Sequence, residues 1–478
     1  MLAEQLGVVA RDREELLTVL SADGRAATIV LPDLHAAAVP EALGDLAVAL
    51  LELEHVRVLV EATSGSPAAA LLGSHAPAVM DLDHDQWTDQ ERLAAWRAAN
   101  PVPSSPGPEA VAGEEPAALD LSDPVQVISG DPVVVTTRYE ASSADHGGLR
   151  TAWLRAGQSL SNEQDPASRA LVLHAALGDG ADPRLAQEMT SLAADARWRL
   201  VWSRVSGDIS PPWPGPALAL AAGHGALDGE LLVADHQGVV RSIRSVDASP
   251  SGRLARPFPQ THTLAVLQDG VVLALNPQGR LEMERSPAAP RPSGLDAFLD
   301  SGPTPFELLV ERVRGHLAQR PGRVLGVSSA CLAAADGVGT VHAFTLNDTV
   351  LEVASLHRGP VTALAVVDLE GAEDADPVSL VYSGGADGQV RVWSPGSEPL
   401  RVPVAARPVP VTAVAAAQID GELILAVAWA DGLVEHRGLG SGQVRTFRPG
   451  QPVLSLAVTA RGALVIGTDQ MVVCLRPC

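Results

Sequence analysis

The stretch SGGADGQVRVW, Ser383–Trp393, places a short polar turn between two runs of strand-forming residues. Asp387 and Gly388 form the centre of this turn. Glycine accepts a positive φ at no steric cost, and an aspartate side chain accepts hydrogen bonds from the backbone that follows it. An Asp-Gly pair between two alternating apolar runs therefore predicts a β-hairpin. One hairpin leaves the fold open, whereas a repeated hairpin determines it.

The same pattern recurs along the second half of the chain. Each copy has an apolar run, an aspartate with glycine beside or near it, and a second alternating run. The predicted hairpin turns are centred on Asp235, Asp269 with Gly270, Asp336 with Gly337, Asp387 with Gly388, Asp431 with Gly432, and Asp469. In the last copy, Gln470 takes the place of the glycine. Six such hairpins predict an all-β repeat architecture.

The spacing of the turns indicates which architecture this is. Successive turns are 34, 67, 51, 44 and 38 residues apart, and most of these values bracket the ~40–45 residues of a four-stranded propeller blade. The longest interval contains residues 294–323, in which Phe306, Leu309, Val310 and Val313 follow a helical period, so we expect a helical insertion on one blade. We predict a β-propeller over residues 198–478 with six blades, and a seventh blade near the insertion stays open.

Closure of the ring can also be predicted. After the last turn only three strand-like runs remain up to Cys478, and a blade needs four. The run RWRLVWSRV, residues 197–205, stands just before the first repeat. If this run completed the last blade, it would remove the open sheet edge that makes an unclosed ring prone to aggregate. We therefore predict that Trp198–Val205 is the fourth strand of the last blade.

The segment LHRGPVTALAV followed by SGGADGQVRVW resembles the WD-repeat pattern. By this resemblance His357, Ser383, Asp387 and Trp393 would form a buried hydrogen-bonded set that ties the strands of one blade together. The blade of residues 410–449 keeps PVTAVAAA and AWADG but has no tryptophan after its turn, and the other blades match the pattern less well. The resemblance implies a WD-like propeller that offers a platform for protein partners.

Residues 1–98 predict a small α/β domain. Short apolar runs at residues 25–35, 56–62 and 77–83 are typical of buried parallel strands, and helical patterns separate them. The order of elements resembles the later half of the nucleotide-binding core of STAND-type signalling ATPases, in which Asp33 would be the magnesium-side acid. No glycine-rich phosphate loop precedes Asp33. A strand-end or helix-capping role for Asp33 is therefore favoured.

Two further segments join the α/β domain to the propeller. Residues 99–121 are rich in proline and acidic residues, which is typical of a flexible linker. Residues 122–197 predict a helical domain, because four Asp-Pro pairs mark helix starts. Aspartate caps the free amides of the first turn, and proline loses nothing at the first helical position. The four capping residues are Asp123, Asp131, Asp165 and Asp182.

Composition excludes several classes of function. The formal net charge is −23, and residues 1–120 carry 20 acidic residues against 6 arginines. A surface of that sign repels phosphate backbones and anionic lipid, so we expect neither nucleic-acid nor membrane partners. All 34 basic residues are arginine, which excludes a P-loop, a protein-kinase site and Schiff-base chemistry, since each needs a lysine. Three cysteines provide neither a disulfide framework nor a metal cluster.

The sequence predicts a non-enzymatic interaction scaffold or sensor that binds protein partners through a propeller face. No catalytic residue, cofactor site or metal site is expected. A chain without a secretion signal or a membrane-length apolar run is predicted to be cytoplasmic. The alternative interpretation is a regulatory fragment of a STAND-type signalling ATPase that lacks its own phosphate-binding loop.

Overall fold

The computed structural model describes residues 13–22, 27–31, 34, 40–53, 55–62, 66–73, 75, 119–160, 164–286, 304–346, 351–369 and 377–478. The chain divides into two compact units, residues 1–113 and 114–478. No helix in the described ranges is long and apolar enough to cross a membrane. Asp33, the predicted strand at residues 77–83, most of the predicted linker and residues 294–303 of the predicted insertion lie outside the described residues.

The first unit contains a β-α-β crossover. Its helices and strands are α1 Arg13–Ala22, β1 Ala27–Leu31, α2 Pro40–Leu51, β2 Val56–Val60 and α3 Pro67–Gly73. β1 and β2 pair in parallel, from Ala27 opposite Val56 to Leu31 opposite Val60. Parallel neighbours require a crossover connection, which α2 provides. Ile29, Ala47 and Leu50 are buried between the strands and the helices and form the core of this unit.

Within its described residues, the second unit begins with five α-helices. They are α4 Pro124–Ser129, α5 Pro132–Ala141, α6 Leu149–Leu160, α7 Pro166–Ala176 and α8 Pro183–Leu192. The four predicted Asp-Pro helix starts are confirmed, because Asp123, Asp131, Asp165 and Asp182 each cap a helix with proline in its first turn. The carboxylate of Asp131, for example, accepts from two backbone amides at 3.0 Å. These caps satisfy first-turn amides that have no partner within the helix.

Six antiparallel sheets follow, and each forms one blade. Blade 1 contains β4 Ala219–Ala222, β5 Glu230–Ala234, β6 Val240–Arg244 and β7 Pro250–Arg253. Blade 2 contains, within the described residues, β8 Leu264–Val266, β9 Val271–Leu275 and β10 Leu281–Arg285. Blade 3 contains β11 Val324–Val327, β12 Cys331–Ala335, β13 Thr340–Thr345 and β14 Glu352–Ser355.

The remaining blades complete the ring. Blade 4 contains β15 Val361–Leu369, β16 Val378–Gly385, β17 Gln389–Trp393 and β18 Ala405–Ala406. Blade 5 contains β19 Val411–Ile419, β20 Glu422–Trp429, β21 Val434–Gly438 and β22 Val444–Phe447. Blade 6 contains β23 Ser455–Val458, β24 Leu464–Gly467, β25 Met471–Pro477 and β3 Trp198–Val205. The first strand of each blade contacts the first strand of the next, and β23 contacts β4, so the ring is closed.

The predicted closure is confirmed. β25 pairs antiparallel with β3, from Met471 opposite Val205 to Pro477 opposite Trp198. The register shifts by one residue at Val201, which is a β-bulge. A bulge inverts the alternation of side chains along a strand. Trp198 therefore donates to the carbonyl of Thr446 in blade 5, and Trp202 donates to that of Ser245 beside blade 1, both at 2.9 Å.

The helical part of this unit packs on the closing strand. α7 contacts β3, and the buried side chains of α6 and α7 share one hydrophobic cluster with those of blades 5 and 6. Polar contacts add to this packing: the hydroxyl of Ser159 donates to the carbonyl of Arg448 at 2.7 Å. The amide of Asp179 donates to the carboxylate of Asp208 at 2.7 Å. The helices thus support the place where the ring closes.

The helix predicted inside the insertion is present as α9, Pro305–Gln319. Thr304 and Glu307 form a capping box at its start. Leu309, Val310, Val313 and Leu317 are buried and join one cluster with side chains of blades 2 and 3. The amphipathic period in the sequence therefore identified the face that packs against the blades.

Two neighbouring histidines in this packing are expected to make stability depend on pH. The rings of His316 on α9 and His342 on β13 lie 4.8 Å apart between centroids. Burial is the largest cause that lowers the pKa of each ring, and Arg320 adds to it, while Asp336 opposes it at His342. A histidine with a lowered pKa binds fewer protons in the folded state, so stability is complete above pH ~6.5 and decreases as pH falls below that.

We expect the melting temperature to fall by several degrees between pH 7 and pH 5, and the variant His316→Phe to lose less over the same range. Phenylalanine fits beside Phe344, whose ring already contacts His316 at 5.4 Å between centroids. Differential scanning calorimetry at a series of pH values measures both slopes, with the exposed His236→Ala as control. Equal slopes for wild type and His316→Phe would contradict the prediction.

Candidate interaction face

One end of the propeller is built from turns and linkers that recur in each blade. The turn between the second and third strand of a blade lies at this end, and so does the linker that leads into each first strand. We call this end the turn face. Its turns are residues 235–239, 276–280, 336–340, 386–388, 430–433 and 468–470. Its linkers are residues 206–216, 254–262, 320–323, 356–360, 407–410 and 448–452.

Backbone hydrogen bonds hold the turn face together. In five blades, a linker amide donates to a carbonyl in the turn of the blade that the chain has just left. The pairs are Ser206 to Gln470, Phe258 to Gly238, Gly322 to Gly279, His357 to Gly339, and Arg407 to Gly388, at 2.8–3.2 Å. Because these bonds use only main-chain atoms, they place few demands on sequence. They hold five of the linkers against turns.

Side chains in the turns accept hydrogen bonds from the backbone that follows. Asp235 and Asp336 each accept from amides two and four residues on. Asp387 and Asp431 each accept from the amide two residues on. In blade 6, Thr468 makes the equivalent bond to the amide of Met471, while the predicted residue Asp469 is exposed.

The predicted hairpin turns of blades 2 and 3 are present, but each differs in detail from the other copies. In blade 2, Asn276 caps the turn by accepting from Gln278 and Arg280, and the predicted Asp269 and Gly270 lie between β8 and β9, at the opposite end of the blade. Asparagine supplies the same carbonyl acceptor as aspartate, so a search for Asp-Gly misses it. In blade 3, the glycine at positive φ is Gly339, at +98°, and not the predicted Gly337.

The two glycines of the blade 3 turn give a matched test. At Gly339, alanine would have to adopt the positive φ, and its Cβ would collide with the carbonyl oxygen of His357. At Gly337, alanine would meet only the Arg323 side chain at an ordinary 3.4 Å. We expect Gly339→Ala to lower the free energy of unfolding by about 2 kcal/mol and Gly337→Ala to change it little. Urea denaturation measures both, and equal effects would contradict this assignment.

The structure brings three of the four predicted blade-network residues together. His357 Nδ1 lies 3.0 Å from the carboxylate of Asp387, and His357 Nε2 lies 2.8 Å from the hydroxyl of Ser383. The amide of Arg358 donates to the second oxygen of Asp387 at 3.0 Å. Burial acts to raise the pKa of Asp387, but the Arg358 amide and the His357 ring outweigh it, so the pKa lies below its ordinary value.

The fourth predicted residue is not part of this network. The Trp393 indole donates to the carbonyl of Ser397 at 2.9 Å, in the turn that follows its own strand. Trp393 lies opposite Val381 on β16, whereas Ser383 lies opposite Arg391. The register therefore sets Trp393 two residues away from the serine, and this correction follows from strand pairing that one sequence does not reveal.

The histidine lies between the serine and the aspartate in this hydrogen-bonded chain, as it does in the catalytic triad of a hydrolase. Here, however, Ser383 is fully buried and the His357 side chain is 0% exposed. A nucleophile must reach its substrate, and no substrate reaches this hydroxyl. Both ring nitrogens of His357 instead join the linker to the second strand and the turn of blade 4. The arrangement is a structural clamp.

Blade 5 uses arginines for the same purpose. The two terminal nitrogens of Arg407 each donate to one carboxylate oxygen of Asp431 at 2.8 Å, and Arg448 donates to the same carboxylate at 3.0 Å. The hydrogen bonds from Arg407 hold the pKa of Asp431 well below its usual range, against the opposing effect of burial. Arg407 also lies over the Trp429 ring, 5.3 Å from its centroid. No pattern in the sequence had marked these arginines.

The central channel is narrow. A cavity of about 70 Å³ lies among the first strands of all six blades. Hydroxyl groups in the channel wall join blades in pairs: Thr263 donates to Leu325, Thr362 to Val411, and Ser455 to Ala217. Small-molecule sites usually measure roughly 300–1,000 Å³. The channel therefore has room for a few waters and no room for a nucleotide-sized ligand.

Comparisons with known proteins do not identify a family for this chain. A scan against protein-family models found no match, and no curated protein matches the chain. Among solved structures, the structure of U3-55K matches with 14% identity and a TM-score of 0.40, over 59% of this chain and 99% of that chain. The WD40 repeats of RRP9 match with 15% identity and a TM-score of 0.38, over 59% and 98%. The WD40 β-propeller domain of Doa1 matches with 11% identity and a TM-score of 0.36, over 58% and 96%.

The predicted resemblance of the N-terminal unit to STAND-type ATPases is not supported. None of these comparisons points to an ATPase core, and the described residues of that unit form one β-α-β crossover. The expectation rested on the order of short apolar runs, which many α/β folds share. The strand topology, in contrast, is decisive for the second unit: residues 198–478 form a six-bladed, WD-like β-propeller closed by a strand from ahead of the first blade.

Proposed function

We propose that this chain is a non-enzymatic scaffold or sensor of the cytoplasm that binds a protein partner through the turn face of its propeller. The observation that carries the proposal is the continuity of this face. Linker amides are bonded to turn carbonyls in five blades, so a partner meets a surface that is already ordered. A preorganised surface loses little conformational entropy on binding.

The use of reactive side chains supports the non-enzymatic part of the proposal. His357, Ser383 and Asp387 have the chemistry for acyl transfer, but they are buried and bonded to one another. The carboxylate of Asp431 is occupied by two arginines. Groups at this end that could act on a substrate thus hold turns and linkers in place, and the side chains left at the surface suit contact with a protein.

Site-directed photo-crosslinking tests the proposal. A photoreactive amino acid is placed at Val338, which is 73% exposed in the blade 3 turn, or at Asp420, which is exposed between β19 and β20 at the opposite end. After irradiation in the native cell, we expect a discrete adduct from Val338 and none from Asp420. The adduct is identified by mass spectrometry and reconstituted with purified proteins. Equal adducts from both positions, or none from Val338, would overturn the proposal.

A further inference from the structure

An arc of unpaired arginines crosses one sector of the turn face. Arg280 is the last residue of the blade 2 turn, Arg320 and Arg323 lie in the linker to blade 3, and Arg358 lies in the linker to blade 4. All four are exposed. We call this set the arginine arc; its members are Arg280, Arg320, Arg323 and Arg358. The arc lies at the end of the ring that the proposed function assigns to partners.

The members of the arc follow one another along the rim, because contacts between linkers and turns connect the segments that carry them. The Gly322 amide donates to Gly279, which precedes Arg280 in the chain. The Arg323 side chain lies over Gly337 in the blade 3 turn. In the same turn, Gly339 accepts from the amide of His357, the neighbour of Arg358. The arc thus follows the rim of the ring from blade 2 to blade 4.

The members of the arc form no ion pair within the described residues, unlike several other arginines of the chain. Arginine ion pairs in the described part of the chain involve Arg241, Arg244, Arg285, Arg314, Arg407, Arg437 and Arg448. None involves a member of the arc. The nearby carboxylate of Asp336 is directed to its own turn amides and to His342, 3.6 Å away. Four uncompensated charges therefore face solvent together.

We propose that the arginine arc binds an acidic segment of a protein partner. Guanidinium groups bind carboxylates through paired hydrogen bonds, and Val338, exposed in the blade 3 turn, gives the segment an apolar contact. The field of the arc extends about one Debye length, ~8 Å at physiological salt, so it acts on a short segment. A long polyanion such as RNA would also meet the rest of a chain whose net charge is −23, and that charge disfavours it.

Fluorescence anisotropy with the full chain tests this inference. The probe is a labelled peptide of about ten glutamate and aspartate residues around one leucine, and its control replaces the acids with glutamine and asparagine. The test variant is Arg323→Gln with Arg358→Gln. The matched control is Arg461→Gln with Arg476→Gln, two exposed arginines near the opposite end of blade 6. We expect the test variant to bind about tenfold more weakly, because two charged contacts are lost, and the control to bind like wild type.

Several results would overturn the inference: no binding of the acidic peptide at low salt, equal losses in the two double variants, equal binding of the amide control peptide, or tighter binding of an oligouridylate of the same charge. Salt should weaken binding of the acidic peptide. The inference rests on the proposed function, but the two fail separately. If a partner crosslinked at Val338 binds the test variant as well as wild type, only the role of the arginine arc is refuted. If the acidic peptide binds but no partner is crosslinked at Val338, only the proposed scaffold function is refuted.

Discussion

Replacement of Trp202 by alanine is expected to lower the free energy of unfolding of the propeller by about 3–5 kcal/mol, the usual cost of removing a large buried aromatic side chain. Trp202 is 6% exposed, and its indole donates to Ser245 beside blade 1. It lies on β3, the strand that closes the ring, so its loss both opens a cavity and weakens the junction between blades 6 and 1. Urea denaturation followed by circular dichroism measures the change.

Trp213 provides the matched control. It is half-buried and packs at the margin of the same hydrophobic cluster, so Trp213→Ala should cost clearly less than Trp202→Ala. Trp198→Ala should match Trp202→Ala, since Trp198 joins β3 to blade 5 in the same way. The double variant Trp198→Ala with Trp202→Ala is expected to release the closing strand and to form oligomers on size-exclusion chromatography, because an open blade exposes a sheet edge. A monomeric double variant with near wild-type stability would refute this account of closure.

The ring and its closure could be predicted because their signals are local. Each hairpin needs a turn residue that bonds its own backbone, and each helix start needs a cap, so Asp387 and Asp131 are visible in the sequence. The Asp269-Gly270 turn of blade 2 shows the limit of this reasoning, because it joins the first and second strands of its blade and not the second and third. Gly270 does have a positive φ, of 82°, so the Asp269-Gly270 hairpin exists. The same chemistry serves turns at both ends of a blade, and only strand pairing tells them apart.

The rest of the face depends on features that one sequence does not encode locally. The bulge at Val201 determines which neighbouring blade each tryptophan of β3 contacts. No residue in the run RWRLVWSRV predicts this bulge. The bonds between linkers and turns use backbone atoms, so they leave no residue pattern. The ion pair between Arg407 and Asp431 joins residues 24 positions apart. It lies in blade 5, whose turn resembles that of blade 4. Blade 4 uses a histidine at the equivalent place, so the role is kept while the residue type changes.

Replacement of His357 by phenylalanine is expected to lower the free energy of unfolding by about 3 kcal/mol, because it leaves the buried Ser383 hydroxyl without a partner and removes one of the hydrogen bonds to Asp387. Phenylalanine keeps most of the ring volume, so the loss reports hydrogen bonding more than packing. Ser383→Ala removes one bond and should cost about 1 kcal/mol. In the double variant, the cost of Ser383→Ala should largely disappear, since its partner is already gone.

This double-mutant cycle tests whether His357, Ser383 and Asp387 act as one hydrogen-bonded clamp or contribute to stability independently. Urea denaturation of wild type, both single variants and the double variant yields the coupling energy, and we expect about 1 kcal/mol between His357 and Ser383. His236 in the blade 1 turn is exposed, so His236→Ala serves as a control that should leave stability unchanged. Additive costs, or a loss for His357→Phe no larger than for His236→Ala, would contradict the clamp. The linker into blade 4 would then be held by its backbone amides, those of Leu356 and His357 bonded to Gly339 and that of Arg358 bonded to Asp387, and the variants leave these bonds intact.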